Sequence, residues 1–311
     1  MHAVLIQAPD GADAFAVADR PVRAPEAGEV LLRVLAAAVN PADVMMWRTL
    51  GGGSVEVPFT AGMDAAGLVE AVGPGVEGLH AGQRVMAVVF PRRPEGGAQA
   101  ELVIVPAASV VPIADDLDLV DASTVPMNGL TALAALALLD LPAGSTLAVT
   151  GAAGQLASLA IPLAARAGLT VIADAKPDDV ELVRSFGADL VVPRSDDFSA
   201  AVRAVVPGGV DAVLDTATVT RTALGAIRDG GAIAVLRGWE GSEPERGIRV
   251  ERVSVGVALQ NTAWLRGLAA DAADGVLPLR VAGTVPAAEA ESAYLRTEAG
   301  GLRGRLVITF G

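Results

Sequence analysis

The second half of the chain alternates between two kinds of segment, and this restricts the fold more than any other feature. Short apolar runs, TLAVT, LTVIADA, ADLVVP, VDAVLDT and AIAVLRG, are separated by QLASLAIPLAARAG, PDDVELVRSFG, FSAAVRAVV and RTALGAIRDG, which carry a helical pattern. Strands this short and apolar are buried on both faces, and parallel neighbours need a crossover of helical length. The pattern predicts an α/β fold, a doubly wound parallel sheet covered by helices on both sides. A long helical stretch, VDASTVPMNGLTALAALALLD, leads into it. Pro162 removes one hydrogen bond from the first crossover helix and predicts a kink there.

The first 115 or so residues have a different rhythm. The runs AVLI, EVLLRVLAAAV, GLVEAVG, RVMAVVF and AELVIVP are punctuated by APEAGE, VGPGVEG and PRRPEGG, the signature of strands and turns. One helix intrudes at PADVMMWRT, with Pro41 in its first turn and Asn40 placed to cap it. The last segment, with a helix near AAEAESAYLRTEAG and the strand RLVITF, is again mixed and is expected to rejoin this part. The expected division is a β-rich domain of residues 1–118 and 263–311 around a parallel-sheet domain of residues 119–262.

VTGAAGQLAS, Val149 to Ser158, opens the first strand–helix unit. Against the dinucleotide template G-x-G-x-x-G only Gly154 fits, with Ala152 and Ala157 at the outer positions and Gly151 one place early. The middle glycine, which lets backbone approach a pyrophosphate, is the least replaceable. Gly151 and Ala152 together can shape the bend, and Ala157 adds only a methyl at the helix-packing position. Backbone N–H groups near Ala153, Gly154, Gln155 and Leu156 would then face phosphate at the positive end of the helix. An ordinary βα turn fits the same residues. Its place at the head of the series, with VIADAK ending the second strand about twenty residues later, favours a cofactor site.

Composition removes several classes of function. The formal charge is −13, which argues against nucleic acid and anionic membrane as partners. With no cysteine there are no disulfides, no thiolate nucleophile and no cysteine-ligated zinc. The only imidazoles are His2 and His80, both expected at the surface. The N-terminus lacks the basic start and apolar core of a signal peptide, and the most apolar stretch, Leu130 to Leu141, ends at Pro142, short of a membrane span. A cytoplasmic location is the expectation.

Five segments, in order, resemble the medium-chain dehydrogenase/reductase superfamily, specifically its zinc-free quinone oxidoreductase branch. They are AAAVNPADVMMWRT, PFTAGMDAAGLVEAVGPGVEGLHAGQRV, VPMNGLTALAAL, GAAGQLA and GGLRGRLVITF. The resemblance implies a β-rich, GroES-like catalytic domain interrupted by a Rossmann domain, with a cleft between them. It implies NADPH-linked reduction of quinones or activated double bonds, and a homodimer. Asn40 and Met63 stand where zinc-dependent relatives carry metal ligands.

The candidate residues follow from the pattern and the resemblance. Asn40 fits two roles equally, donor to a substrate or nicotinamide carbonyl, or helix cap. Asp43 suits the first-turn dipole of that helix, and Met46 and Trp47 are candidates for an apolar substrate wall, with core packing the commoner fate of such residues. By analogy Asn128 and Thr131 point towards nicotinamide or its phosphates. Asp174 could accept both ribose hydroxyls of NADH, whereas Lys176, after Ala175, and Arg194 could pair with the 2′-phosphate of NADPH. A solvated charge cluster also fits these three; NADPH is favoured, with NADH the alternative. Thr216, Ala217, Leu236, Arg237 and Gly238 end the fourth and fifth strands and should border the cofactor. GWEGSEPERGIRV, after the fifth strand, reads as a variable, mobile loop.

Three functions remain open. A metal-free reductase of a quinone or enone leads, because such acceptors need no strong enzymic acid. An enoyl-thioester reductase is the second, and a catalytically silent dinucleotide sensor or structural protein the third.

Overall fold

HAVLI forms β1 (His2–Ile6), which pairs antiparallel with β2 (Phe15–Asp19). EVLLRVLAAAV is one long strand, β3 (Glu29–Val39), followed by α1 (Pro41–Arg48). Four more strands follow: β4 (Asp64–Val72), β5 (Arg84–Val88), β6 (Leu102–Pro106) and β7 (Val110–Pro112). Two helices, α2 (Leu119–Ala122) and α3 (Pro126–Leu139), lead into the alternating half. There β8 (Thr146–Thr150), α4 (Gln155–Arg166), β9 (Thr170–Ala175), α5 (Val180–Ser185), β10 (Leu190–Pro193) and α6 (Phe198–Val205) succeed one another. The series closes with β11 (Val210–Asp215), β12 (Ile227–Val235) and β13 (Arg249–Arg252). Last come α7 (Thr262–Ala273), β14 (Val281–Pro286), α8 (Ala290–Ala299) and β15 (Arg305–Thr309). This computed structural model describes residues 1–11, 13–53, 55–240 and 246–311. Residues 241–245 of the expected mobile loop therefore lie outside the described residues.

Two compact units result. The first comprises Met1–Met127, Leu259–Gly275 and Leu279–Gly311, the second Asn128–Ala258 and Val276–Pro278. In the first, strands run β14-β15-β3-β4-β5-β7, with β6 also paired to β3. The terminal strand β15 lies antiparallel to β3, Leu306 opposite Val39. Core residues of this unit come from β1, β3–β7, α1, α8 and β15, among them Ile6, Val39, Trp47, Tyr294 and Ile308. In the second unit the order is β10-β9-β8-β11-β12-β13, and every pair is parallel. This is the doubly wound arrangement that the alternation predicts. Its order reverses between β8 and β11, the switch point where such sheets bind ligands.

Local departures have local causes. The expected single helix from Val120 is split at Ser123–Val125, since Pro126 disfavours helical geometry in the residue before it. Ser123 and Thr124 bond back to the carbonyls of Val120 and Asp121 across the break. Leu119–Leu139, contrary to expectation, is long and apolar enough by length and composition to cross a membrane. Its most apolar window is 78% buried inside the protein, as in a core helix. RTALGAIRDG is not an α-helix. A 3₁₀ segment covers Thr220–Ala226 and β12 starts at Ile227, because Gly225, Gly230 and Gly231 weaken a helix and suit close strand contacts. Pro162 sits within α4, which remains continuous.

Candidate functional site: a glycine turn and a buried polar cluster

Strand β8 ends at Thr150 and the chain bends at Gly151, whose φ is +65°. A Cβ on Gly151 would lie 3.0 Å from Oγ1 of Thr216 and 3.1 Å from Cβ of Ala217. Glycine is needed here twice over, for backbone sign and for space. The amide of Gly154 donates to the carbonyl of Gly151 at 2.8 Å, closing the turn. Gly154 itself is the N-cap of α4, with an ordinary φ of −78°. A Cβ there would meet only the Gly151 carbonyl, at 3.0 Å. The first N–H groups of a helix have no intrahelical acceptor, so the turn presents donors and a positive dipole end. Ala152 and Ala157 are fully buried and Ala153 nearly so, while Leu156 is half-buried. Ala157 lies fully buried in the first turn of α4, at the position of the template's third glycine.

Side chains at the ends of the central strands are bonded to one another. Thr150 donates its hydroxyl to Asp215 at 2.8 Å and accepts the amide of Ala217 at 3.1 Å. Thr216 donates to the Thr150 carbonyl at 2.5 Å. Asp215 also accepts the amides of Val219 (3.1 Å) and Thr220 (2.6 Å). Past β12, Leu236 is half-buried and Arg237 and Gly238 are exposed. Gly238 has φ +75°, and a Cβ on it would lie 2.7 Å from Cγ2 of Thr218. The expected border residues after β11 and β12 therefore meet through Thr218. Thr150 and Asp215 were not foreseen; the signal was a polar residue closing each of two apolar strands.

Asp174 departs from expectation. Its side chain is buried, and Oδ1 accepts the amide of Ala152 at 3.0 Å. Oδ2 faces Nε of Arg194 at 3.8 Å. Burial pushes the carboxyl up from its ordinary value, and the Ala152 amide and Arg194 oppose that. Ala175 is buried, whereas Lys176 and Arg194 are exposed at the ends of β9 and β10. Gln155 is buried at the start of α4, and Asn128 and Thr131 are buried on α3.

In the other unit, Asn40 is the N-cap residue of α1 and is fully buried. Its Nδ2 donates to Oδ2 of Asp64 at 2.6 Å, and its Oδ1 accepts Nε of Arg305 at 2.8 Å. Asp43 accepts the Asn40 amide at 2.8 Å and the Gly62 amide at 3.1 Å. Asp64 accepts the Met127 amide, at the start of α3, at 2.6 Å. Burial raises Asp64 to about 7 and Asp43 to about 6. It also lowers Arg305 to about 10, against the pull of both carboxylates. Arg305 and the linking role of Asp64 escaped the sequence reading, since residues 64 and 305 are far apart in the chain.

Met46 and Trp47, expected as a substrate wall, are core residues. Trp47 packs edge-on against Phe15 and Tyr294, at 5.0 and 5.8 Å, and donates to the Ala8 carbonyl. Tyr294 is buried and donates its hydroxyl to Gln99 at 2.6 Å. His2 and His80 are exposed, and His2 pairs with Glu101. Among the described residues no three His, Cys, Asp or Glu side chains gather as a metal site would need.

Two family models match the chain. The alcohol dehydrogenase GroES-like domain covers residues 26–115, and the model described as zinc-binding dehydrogenase covers residues 156–267. An NADPH-dependent alkenal/one oxidoreductase of Arabidopsis thaliana is 31% identical over 217 residues, 68% of this chain and 55% of that protein. The chain thus spans about half the length of that relative. The trans-enoyl reductase tazE of Aspergillus terreus is 32% identical over 63% of this chain and 70% of its own. A mycobacterial structure complexed with NADPH shares 27% identity over the whole of both chains, with a TM-score of 0.85.

Proposed function

The chain belongs to the medium-chain dehydrogenase/reductase superfamily, in its zinc-free quinone oxidoreductase-like branch, and from that premise we propose an NADPH-dependent, metal-free reductase of quinones or activated C=C acceptors. The observation that carries this reading is the glycine turn at the sheet's switch point. Gly151 with φ +65°, Gly154 at the mouth of α4 and the bonded ends of β8 and β11 fit a pyrophosphate cradle. The bound nicotinamide would supply hydride; the residues of the turn would hold its phosphates.

Lys176 and Arg194 support NADPH over NADH, being exposed cations just past β9, which carries Asp174, and just past its neighbour β10. The Arabidopsis relative is named as NADPH-dependent, which points the same way. Zinc does not suit this chain. It has no cysteine, and at Asn40 an amide and the guanidinium of Arg305 sit beside Asp64, which is already engaged by two N–H donors.

The acceptor class we favour is one that needs no strong enzymic acid. Tyr294 is buried against Gln99, His2 is tied to Glu101, and Asp64, raised to about 7, is held by Asn40 and the Met127 amide. A quinone or enone tolerates this, because its developing oxyanion is delocalised. The resemblance to tazE favours a second reading, an enoyl-thioester reductase, though a charge of −13 suits a carrier's phosphate poorly. Purified protein mixed with NADPH or NADH and a panel of quinones, enones and enoyl thioesters tests both readings by the absorbance of the reduced cofactor. Turnover with quinones or enones is expected; turnover confined to thioesters would establish the second reading, and cofactor binding without any turnover would leave a sensor.

A further inference from the structure

We propose that Asp174 is a positioning residue of the pyrophosphate-binding turn and plays no part in choosing between NADH and NADPH. The proposal rests on the reading that a nicotinamide dinucleotide occupies that turn.

At the end of the second strand of a dinucleotide-binding sheet, a carboxylate is the usual acceptor for ribose hydroxyls. Here one carboxylate oxygen is engaged by the glycine turn instead. Asp174 pairs across the sheet with Val192, and its side chain is 7% exposed. Oδ1 is spent on the amide of Ala152 at 3.0 Å. Ala152 is fully buried, so without Asp174 its N–H would need another acceptor in a place with little water.

Two bonds set the shape of the turn, and the Gly151 amide also acts on the Asp174 carboxyl. One is the bond from the Gly154 amide to the Gly151 carbonyl, at 2.8 Å. The other is the bond from Ala152 to Asp174, which ties the first half of the turn to the neighbouring strand. Together they fix which amides point into the protein and which open towards the mouth of α4. Preorganised donors of this kind determine how tightly an anion is held.

A buried carboxylate near a phosphate site would be unfavourable unless its charge were offset. Arg194 lies 3.8 Å from Oδ2 and supplies that offset. The side chain has thus one oxygen on the turn and the other on a cation, an arrangement suited to support and not to ribose recognition. The acceptor oxygen is the essential feature, and asparagine can reproduce it.

Isothermal titration of NADPH and NADH separates the roles, using wild type, Asp174→Asn and Asp174→Ala. Asp174→Ala is expected to weaken both nucleotides about tenfold or more in parallel, leaving their ratio unchanged within about threefold. Asp174→Asn is expected to keep both within about threefold of wild type. Amide hydrogen exchange adds a direct readout: protection at Ala152 should persist in Asp174→Asn and vanish in Asp174→Ala. A shift of tenfold or more in the NADPH-to-NADH ratio in either variant would overturn the proposal in favour of discrimination. Unchanged affinities in Asp174→Ala would overturn it too, leaving a role in folding alone. Should Asp174→Ala fail to fold, the ratio and the Ala152 protection in Asp174→Asn still decide the matter. Wild type that binds neither nucleotide would instead remove the cofactor reading itself, an outcome visible before any variant is made.

Discussion

Arg305 donates its Nε to Oδ1 of Asn40 at 2.8 Å, joining the start of β15 to the residue that caps α1. Asn40 passes the connection on to Asp64, and Asp43 closes it through the Asn40 amide. The Arg305 guanidinium, with Arg280 near enough to lower it further, thus faces two buried carboxylates in a place that disfavours any charge.

Burial of the two carboxyls has a consequence for stability. Asp64 and Asp43 titrate near 7 and 6 when folded, well above their ordinary value of 3.8. Between these values the folded chain keeps protons that the unfolded chain has released. Stability contributed by this cluster is therefore full below about pH 4 and is lost as pH rises through about 6 to 7. Urea denaturation is expected to give a protein more stable at pH 5 than at pH 8, by up to about 4 kcal/mol. General repulsion in a chain of charge −13 acts in the same direction. Asp64→Asn separates the two, since it should flatten the slope while leaving the overall charge almost as large. An equal slope in that variant would assign the effect to repulsion.

Removing the cation should be costly. Arg305→Met leaves Asp43 and Asp64 buried without their nearby positive charge and takes the Nε donor from Asn40. A loss of about 3 kcal/mol is expected at neutral pH, less at pH 5, where the carboxyls can protonate instead. Arg305→Lys keeps the charge but not the Nε geometry, and should fall between the two. A loss independent of pH would mean that Arg305 acts by packing alone.

How much of this was readable in the sequence depended on the range of the interaction. TLAVT, VDAVLD and EVLLRVLAAAV declared their strands because a buried strand needs an apolar run and little else. The turn at Gly151 was legible because a positive φ leaves its mark as glycine. RTALGAIRDG misled because its periodicity suited a helix, while three glycines and the strand that follows decided otherwise. The core packing of Trp47 was left open, because sequence places a residue along an element but does not give the direction of its side chain. Arg305 was invisible because its partners are 265 and 241 positions away, and only the pairing of β15 with β3 brings them together.

The two glycines of the turn should respond differently to alanine. At Gly151 the new methyl forces a left-handed residue to carry a Cβ and meets Thr216 and Ala217 at 3.0–3.1 Å. Gly151→Ala is expected to lower stability by about 1–2 kcal/mol and to abolish nucleotide binding. At Gly154 the backbone is ordinary, and the methyl meets only a carbonyl of the turn. Gly154→Ala should unfold closer to wild type yet bind NADPH about tenfold more weakly, because it fills the approach to the helix mouth. Thermal melts and titrations on the same samples check the contrast; Gly154→Ala binding as tightly as wild type would move the phosphate away from this turn.

Lys176 offers the cleanest test of cofactor choice. It is exposed just past β9 and does not share the bond between Asp174 and the turn. A charge-assisted bond to a 2′-phosphate contributes roughly 1.5–3 kcal/mol, so Lys176→Ala should cost NADPH about tenfold or more and NADH almost nothing. Arg194→Ala should also weaken NADPH, but it removes the cation beside Asp174 and is expected to lower NADH affinity slightly as well. Added salt should narrow the gap between the nucleotides in wild type, since both cations are solvent-exposed, and should change little in the Lys176→Ala, Arg194→Ala double variant. Equal losses of NADPH and NADH on removing Lys176 would mean that its charge serves the pyrophosphate, or the surface at large, and the preference for NADPH would then have to arise elsewhere in the second unit.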